Sequence, residues 1–194
     1  QGVHESLGAA YVIKRHNNLS KPDDIIVASY VGRPQTQDEY NRNLFMLAEY
    51  YNAKIGFEND RGELIAYAKR YRKLHKLQEE FEMLDKRELR SRTTKRQFGM
   101  HMTQQRKKQG ELYIRDWLIS PRGTNEEGVV TLNLHKIYDP ALLQELIKFN
   151  HKGNFDRVMA LMVGMYHTRE LYNREVVEIL EDRTTDEWFD RIYN

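Results

Sequence analysis

Over residues 9–81 the hydrophobic pattern alternates between short β-type runs and segments of helical period, in the order strand, strand, helix, strand, helix. Helices interspersed with strands must cover a sheet, so this order sets the fold class as α/β. The runs 9–15 (AAYVIKR) and 24–32 (DDIIVASYV) are joined by a polar turn at Asn17-Asn18 and Lys21-Pro22. So short a connection predicts antiparallel pairing. Thr36-Gln37-Asp38-Glu39 carries the capping-box pattern, which predicts a helix start at Thr36. Tyr40, Leu44, Leu47, Ala48 and Tyr51 follow at helical spacing and predict one buried face. Ala53, Ile55 and Phe57 then alternate with Lys54, Gly56 and Glu58, the pattern of a strand that ends on a carboxylate. Arg61-Gly62 turns the chain into a second helix, expected over roughly 62–81.

The stretch 82–135 differs in character. Between Lys86 and Lys108 there are nine Lys or Arg against one acid, Glu88. A helix is expected around 104–119, then a turn from Pro121 to Gly128 and a short apolar run at 129–134. Asp139-Pro140 predicts a helix start, a capping acid followed by proline at the first helical position. Leu142, Leu143, Leu146 and Ile147 are expected to form its core stripe. A last firm helix begins near Asn154, with Phe155, Val158, Met159, Met162, Val163 and Tyr166 at helical spacing. The expected division is a main domain over 1–168 and a helical extension over 169–194.

Composition narrows the chemistry. At 194 residues, 40% hydrophobic and 31% charged, the chain is one globular domain with a real core. Its net charge is only +2, so any nucleic-acid surface must come from local clustering. The absence of cysteine removes disulfides, zinc–thiolate sites and cysteine nucleophiles. No apolar run approaches the roughly 20 residues that cross a bilayer. Gln1-Gly2-Val3-His4-Glu5 has neither an initiator Met nor a leader pattern, and the chain is expected to be a piece of a longer parent. No phosphate-binding loop and no G-x-S-x-G elbow is present.

Three features could carry chemistry. Glu58 stands where a strand ends and a helix begins, the place where ligands gather in open α/β sheets; alone, it also fits a surface acid or a capping turn. Asp156 lies in the first turn of the last helix, off the apolar stripe and in line with Ala160 and Gly164. Small residues there let the helix approach the sheet closely, though an acid in a first turn is also favourable to the helix dipole alone. The third feature is the basic segment 86–108, which fits either a solvated face or a phosphate-holding surface. Carboxylates that hold hard divalent cations, beside concentrated positive charge, are what a metal-dependent nuclease needs.

Tyr30-Val31-Gly32-Arg33-Pro34, Leu47-Ala48-Glu49-Tyr50-Tyr51-Asn52, Ile55-Gly56-Phe57-Glu58-Asn59, and Leu143–Phe149 followed by Phe155-Asp156-Arg157-Val158-Met159-Ala160 resemble phage terminase large subunits. The similarity spans about residues 9–165, and the order and spacing of the pieces carry it. The resemblance implies a C-terminal nuclease domain with a ribonuclease H-like mixed sheet flanked by helices, cutting concatemeric double-stranded DNA with Mg²⁺ or Mn²⁺. It implies three acidic ligands, one on a first strand, one at the end of a fourth and one on a late helix. Glu58 matches the second and Asp156 the third. The first has no match, because residues 9–15 align with the family's second strand. The chain as given is therefore expected to have little or no nuclease activity. Lys95, Arg96, Arg106, Lys107 and Lys108 are the expected phosphate contacts. The implied partners are the terminase ATPase domain, the small subunit and the portal, in the cytoplasm of a bacterial host and with no membrane. Rival readings are another ribonuclease H-like nuclease of resolvase or transposase type, or a module that docks DNA or portal without cutting.

Overall fold

The computed structural model describes residues 7–15, 23–59, 62–79, 98–150 and 152–169. Strands β1 (Gly8–Lys14) and β2 (Ile25–Gly32) pair antiparallel, with Gly8 opposite Gly32 and Lys14 opposite Ile25 and a register shift between Val12 and Ile13. Helix α1 (Gln37–Tyr50) begins where the capping pattern places it, the Thr36 hydroxyl accepting from the Glu39 amide at 3.1 Å. Helix α2 (Glu63–Arg70) is much shorter than the sequence predicts. It stops at Tyr71, Arg72 takes a left-handed φ of 56°, and a 3₁₀ turn follows over Leu74–Lys76. The residues beyond are drawn into ladder contacts instead: Leu77 bridges Ile55 in parallel and Glu79 bridges Phe98.

The alternating segment after α1 is an extended stretch held by single bridges. Ile55 pairs with Leu77, and Glu58 pairs in parallel with Met100. The backbone groups of Ile55, Phe57 and Asn59 bond toward 76–78 and Met100. In an extended chain alternate residues face opposite edges, so those of Gly56 and Glu58 turn the other way.

Helix α3 (Gln104–Leu118) is capped by Thr103, whose hydroxyl accepts from the Arg106 amide at 3.3 Å. The expected turn after it is a hairpin, β3 (Pro121–Thr124) against β4 (Val130–Leu132). Helix α4 (Pro140–Lys148) starts on Asp139, whose carboxylate accepts from the amides of Ala141 and Leu142. Its core side holds Leu142, fully buried, whereas Ile147, expected in the core, is 85% exposed. The last helix, α5, is described over 156–169. The extension proposed for 169–194 lies outside the described residues from 170 onward.

Among the described residues two hydrophobic clusters result. One gathers Met100, Ile114, Trp117, Leu142, Val158, Leu161 and Met162, with Tyr11 and Ile13 of β1 packed against it. The other gathers Phe45, Ala48, Ile55, Tyr67, Ala68 and Leu77. The architecture is mixed α/β with small antiparallel sheets. The face of α1 buried in the second cluster holds Ala48, with Leu44 packed against it, as the spacing predicts, and adds Phe45, which the stripe did not include.

Candidate functional site

Between these clusters runs a groove of about 1550 Å³. One wall is β1, which contributes its whole length; the opposite wall is 53–59. β1 has β2 on one edge and, among the described residues, no strand on the other. Along α1 and its C-cap the lining residues are Gln37, Tyr40, Asn41, Leu44, Leu47, Ala48 and Tyr51, which include all five that helical spacing assigns to a buried face. Along α5 they are Asp156, Met159, Ala160, Val163, Gly164, His167 and Thr168.

Close packing fixes α5 in this groove. A Cβ on Gly164 would lie 2.6 Å from Ile13 Cδ1, so the missing side chain is what lets the helix meet β1. A Cβ on Gly56 would lie 1.4 Å from His167 Nε2, so the other wall also depends on a glycine. At the opposite end Asp156 Oδ2 accepts from the Leu7 amide at 2.6 Å and from Asn154 Nδ2 at 3.3 Å. The stripe Asp156-Ala160-Gly164 thus faces β1 as the small residues imply.

The first turn of α5 is held from outside by α4. Glu145 Oε2 accepts from the amides of Arg157 at 3.0 Å and Val158 at 3.4 Å, satisfying donors that a helix start leaves open. Glu145 Oε1 meets Arg157 Nη1 at 3.1 Å, and Arg157 Nε lies 3.6 Å from Asp139 Oδ2. Tyr11 donates to the same Asp139 oxygen at 2.9 Å. Burial, then that hydrogen bond, raises the Tyr11 phenol above its ordinary value. Tyr40, stacked on Tyr30 with ring centroids 5.3 Å apart, is pushed up to about 12, first by burial and then by the charges of Tyr30 and Asp156. Burial alone brings the His167 imidazole down to about 4.

Glu58 and Asp156 therefore line one groove, from a bridged extended segment and from a helix first turn. Among the described residues no group of three His, Cys, Asp or Glu is arranged to hold a metal ion. Of the expected phosphate contacts, Lys95 and Arg96 lie outside the described residues. Lys108 is exposed and Lys107 half-buried. Arg106 is buried at 8% exposure, its guanidinium donating to the His101 carbonyl, so it braces the start of α3 instead of presenting an open cation.

His167 and Glu145 were not expected at this site. Continuing the Asp156-Ala160-Gly164 stripe by three residues reaches His167, so a signal for it exists in the spacing. Glu145 acts across twelve residues on another helix, which no local pattern reveals. Among the described residues no helix is long and apolar enough to cross a membrane. Compared with family models, curated proteins and solved structures, the chain gives no match.

Proposed function

We propose that this chain is the nuclease domain of a viral DNA-packaging terminase, ribonuclease H-like and metal-dependent, whose parent cuts concatemeric double-stranded DNA in the bacterial cytoplasm. The observation that carries the reading is that Glu58 and Asp156, far apart in sequence, line one groove. The resemblance gives each of them a ligand role. On this reading the parent also carries the ATPase domain and works with the small subunit and portal.

The groove itself supports the ribonuclease H-like arrangement. Two of its walls are β1, whose edge away from β2 has no strand among the described residues, and the segment 53–59. An extended strand seated between them would join the two edges and cover the apolar stripe of α1. That strand is where the resemblance puts the first acidic ligand.

The described residues do not by themselves make a two-metal site. Two carboxylates are too few ligands for a pair of hard cations, and Asp156 Oδ2 already takes the Leu7 amide. The chain as given is accordingly read as inactive, and its residues serve to hold the groove and two carboxylates in place. The test is cleavage of supercoiled and linear DNA in Mn²⁺ by this chain and by a longer piece of the parent that includes an upstream strand. The longer piece cuts, and Asp156→Ala abolishes the cut. Robust cleavage by this chain that survives Asp156→Ala would overturn the assignment.

A non-cleaving docking module is the second reading, favoured by the incomplete ligand set among the described residues. It predicts capture of portal protein with no cleavage by either piece.

A further inference from the structure

Helices α1 and α2 end side by side, and the surface they form carries unbalanced charge that the nuclease reading does not use. From Lys69 to Lys76 the chain reads KRYRKLHK, with five Lys or Arg and no acid. Lys54 joins it from the neighbouring segment, donating to the His75 carbonyl. Two further contacts tie the ends together: Lys73 Nζ to Glu49 Oε1 at 2.6 Å, and Lys76 Nζ to Asn52 Oδ1 at 3.3 Å. Arg70 is paired to Asp38 at 3.0 Å. The exposed side chains of Lys69 and Arg72 have no hydrogen-bond or ion-pair partner among the described residues.

Exposed rings are interleaved with these cations. Tyr50 is 82%, Tyr71 50% and Tyr51 40% exposed. Tyr50 and Tyr51 meet edge-on, centroids 4.9 Å apart, and Tyr71 leans on the buried Tyr67 at 4.5 Å. The rings are thus braced from one side and open on the other.

Arg72 is displayed by the turn that ends α2. It holds a left-handed φ of 56°, a conformation that glycine adopts without cost and a long side chain does not. Helix endings of this kind usually carry Gly or Asn, as Asn52 does at the end of α1 with φ 48°. At Arg72 the conformation closes a Schellman turn, the Arg72 amide bonding the Lys69 carbonyl and the Lys73 amide the Ala68 carbonyl, and the turn leaves the guanidinium exposed.

We propose that this surface binds single-stranded nucleic acid, the cations holding phosphates and Tyr50, Tyr51 and Tyr71 stacking on unpaired bases. Phosphate alone would need only the charge; open rings beside it favour bases that are free of a duplex. Tyr51 and Lys54 also line the groove, so the surface adjoins it at the start of the segment that leads to Glu58. The inference does not rest on the nuclease reading, because binding is scored without added metal ion, whether or not the chain cuts.

The experiment is fluorescence anisotropy of the whole 194-residue chain with an oligothymidylate about 20 nucleotides long and with a blunt duplex of the same length. The single strand binds more tightly, and its affinity falls steeply with salt. Lys69→Glu with Arg72→Gly lowers that affinity about tenfold and flattens the salt dependence. Tyr50→Ser with Tyr71→Ser lowers it several-fold while leaving the salt dependence unchanged. Circular dichroism shows all variants folded, and Arg72→Gly melts no lower than the wild type because it relieves the left-handed residue. The proposal is overturned if the duplex binds as well as the single strand, or if these variants bind as the wild type does, which would assign the binding to the basic segment 86–108.

Discussion

The amide of Leu7 donates to Asp156 Oδ2 at 2.6 Å, tying the start of β1 to the first turn of α5 across 149 residues. One candidate carboxylate is thereby held at the mouth of the groove with its helix clamped from behind by Glu145.

Removing that carboxylate therefore has a structural signature apart from any activity. Asp156→Ala loses a charged hydrogen-bond acceptor and a favourable first-turn acid, together worth about 1–2 kcal/mol. Urea denaturation checks this, and an unchanged midpoint would show that the Leu7 contact contributes nothing.

The contact of Gly56 with His167 yields a sharper test. Gly56→Ala puts a methyl group where the imidazole stands, and the overlap costs about 1–3 kcal/mol. Adding His167→Ala opens the space again, so the double variant is less destabilised than the sum of the two singles. Strict additivity in denaturant titrations would contradict the packing described for α5.

His167 also makes stability depend on pH. Its pKa is lowered to about 4 in the folded chain by burial, against about 6.5 unfolded. Above about pH 6.5 both states hold a neutral imidazole and the residue contributes nothing to the pH dependence. As pH falls through 6.5 toward 4 the unfolded state takes up the proton first, and stability drops by up to about 3 kcal/mol. His167→Gln removes this acid-side loss, which thermal melts at pH 7 and pH 5 check.

Arg122 lies between Asp23 at 3.8 Å and Asp24, and its Nε donates to Asn133 Oδ1 at 2.6 Å, fastening the β3–β4 hairpin to the start of β2. Burial raises the Asp24 carboxyl above its ordinary value, with Arg122 acting against it. Arg122→Met leaves two acids without their cation and costs about 2–4 kcal/mol at neutral pH. The loss shrinks in acid, where Asp24 takes up a proton, and denaturation at pH 7 and pH 4 measures both.

What the sequence made legible was local. The caps at Thr36 and Asp139 depend on residues within one turn, and both stand where the pattern places them. The antiparallel β1–β2 pair and the Asp156-Ala160-Gly164 stripe follow from short connections and fixed spacing. What failed depended on distant partners. Residues 72–81 have helical spacing, yet Leu77 and Glu79 are used in bridges to Ile55 and Phe98, which no local pattern records. Arg106 reads as one cation among many and is buried because a carbonyl and the α5 helix close over it. The α1 stripe of Tyr40, Leu44, Leu47, Ala48 and Tyr51 is the instructive case. The sequence assigns it to a buried face; Ala48 is buried and Leu44 packs on the second cluster, while all five also line the groove.

On the proposed reading, metal binding with an upstream strand present is the most direct test. Mn²⁺ is titrated into this chain and into the longer piece of the parent, with bound ions located by anomalous diffraction. The account predicts weak or no binding to this chain, two ions between Glu58 and Asp156 in the longer piece, and their loss on Glu58→Ala or Asp156→Ala. A longer piece that binds no Mn²⁺, or binds it equally well without either carboxylate, would contradict the nuclease assignment.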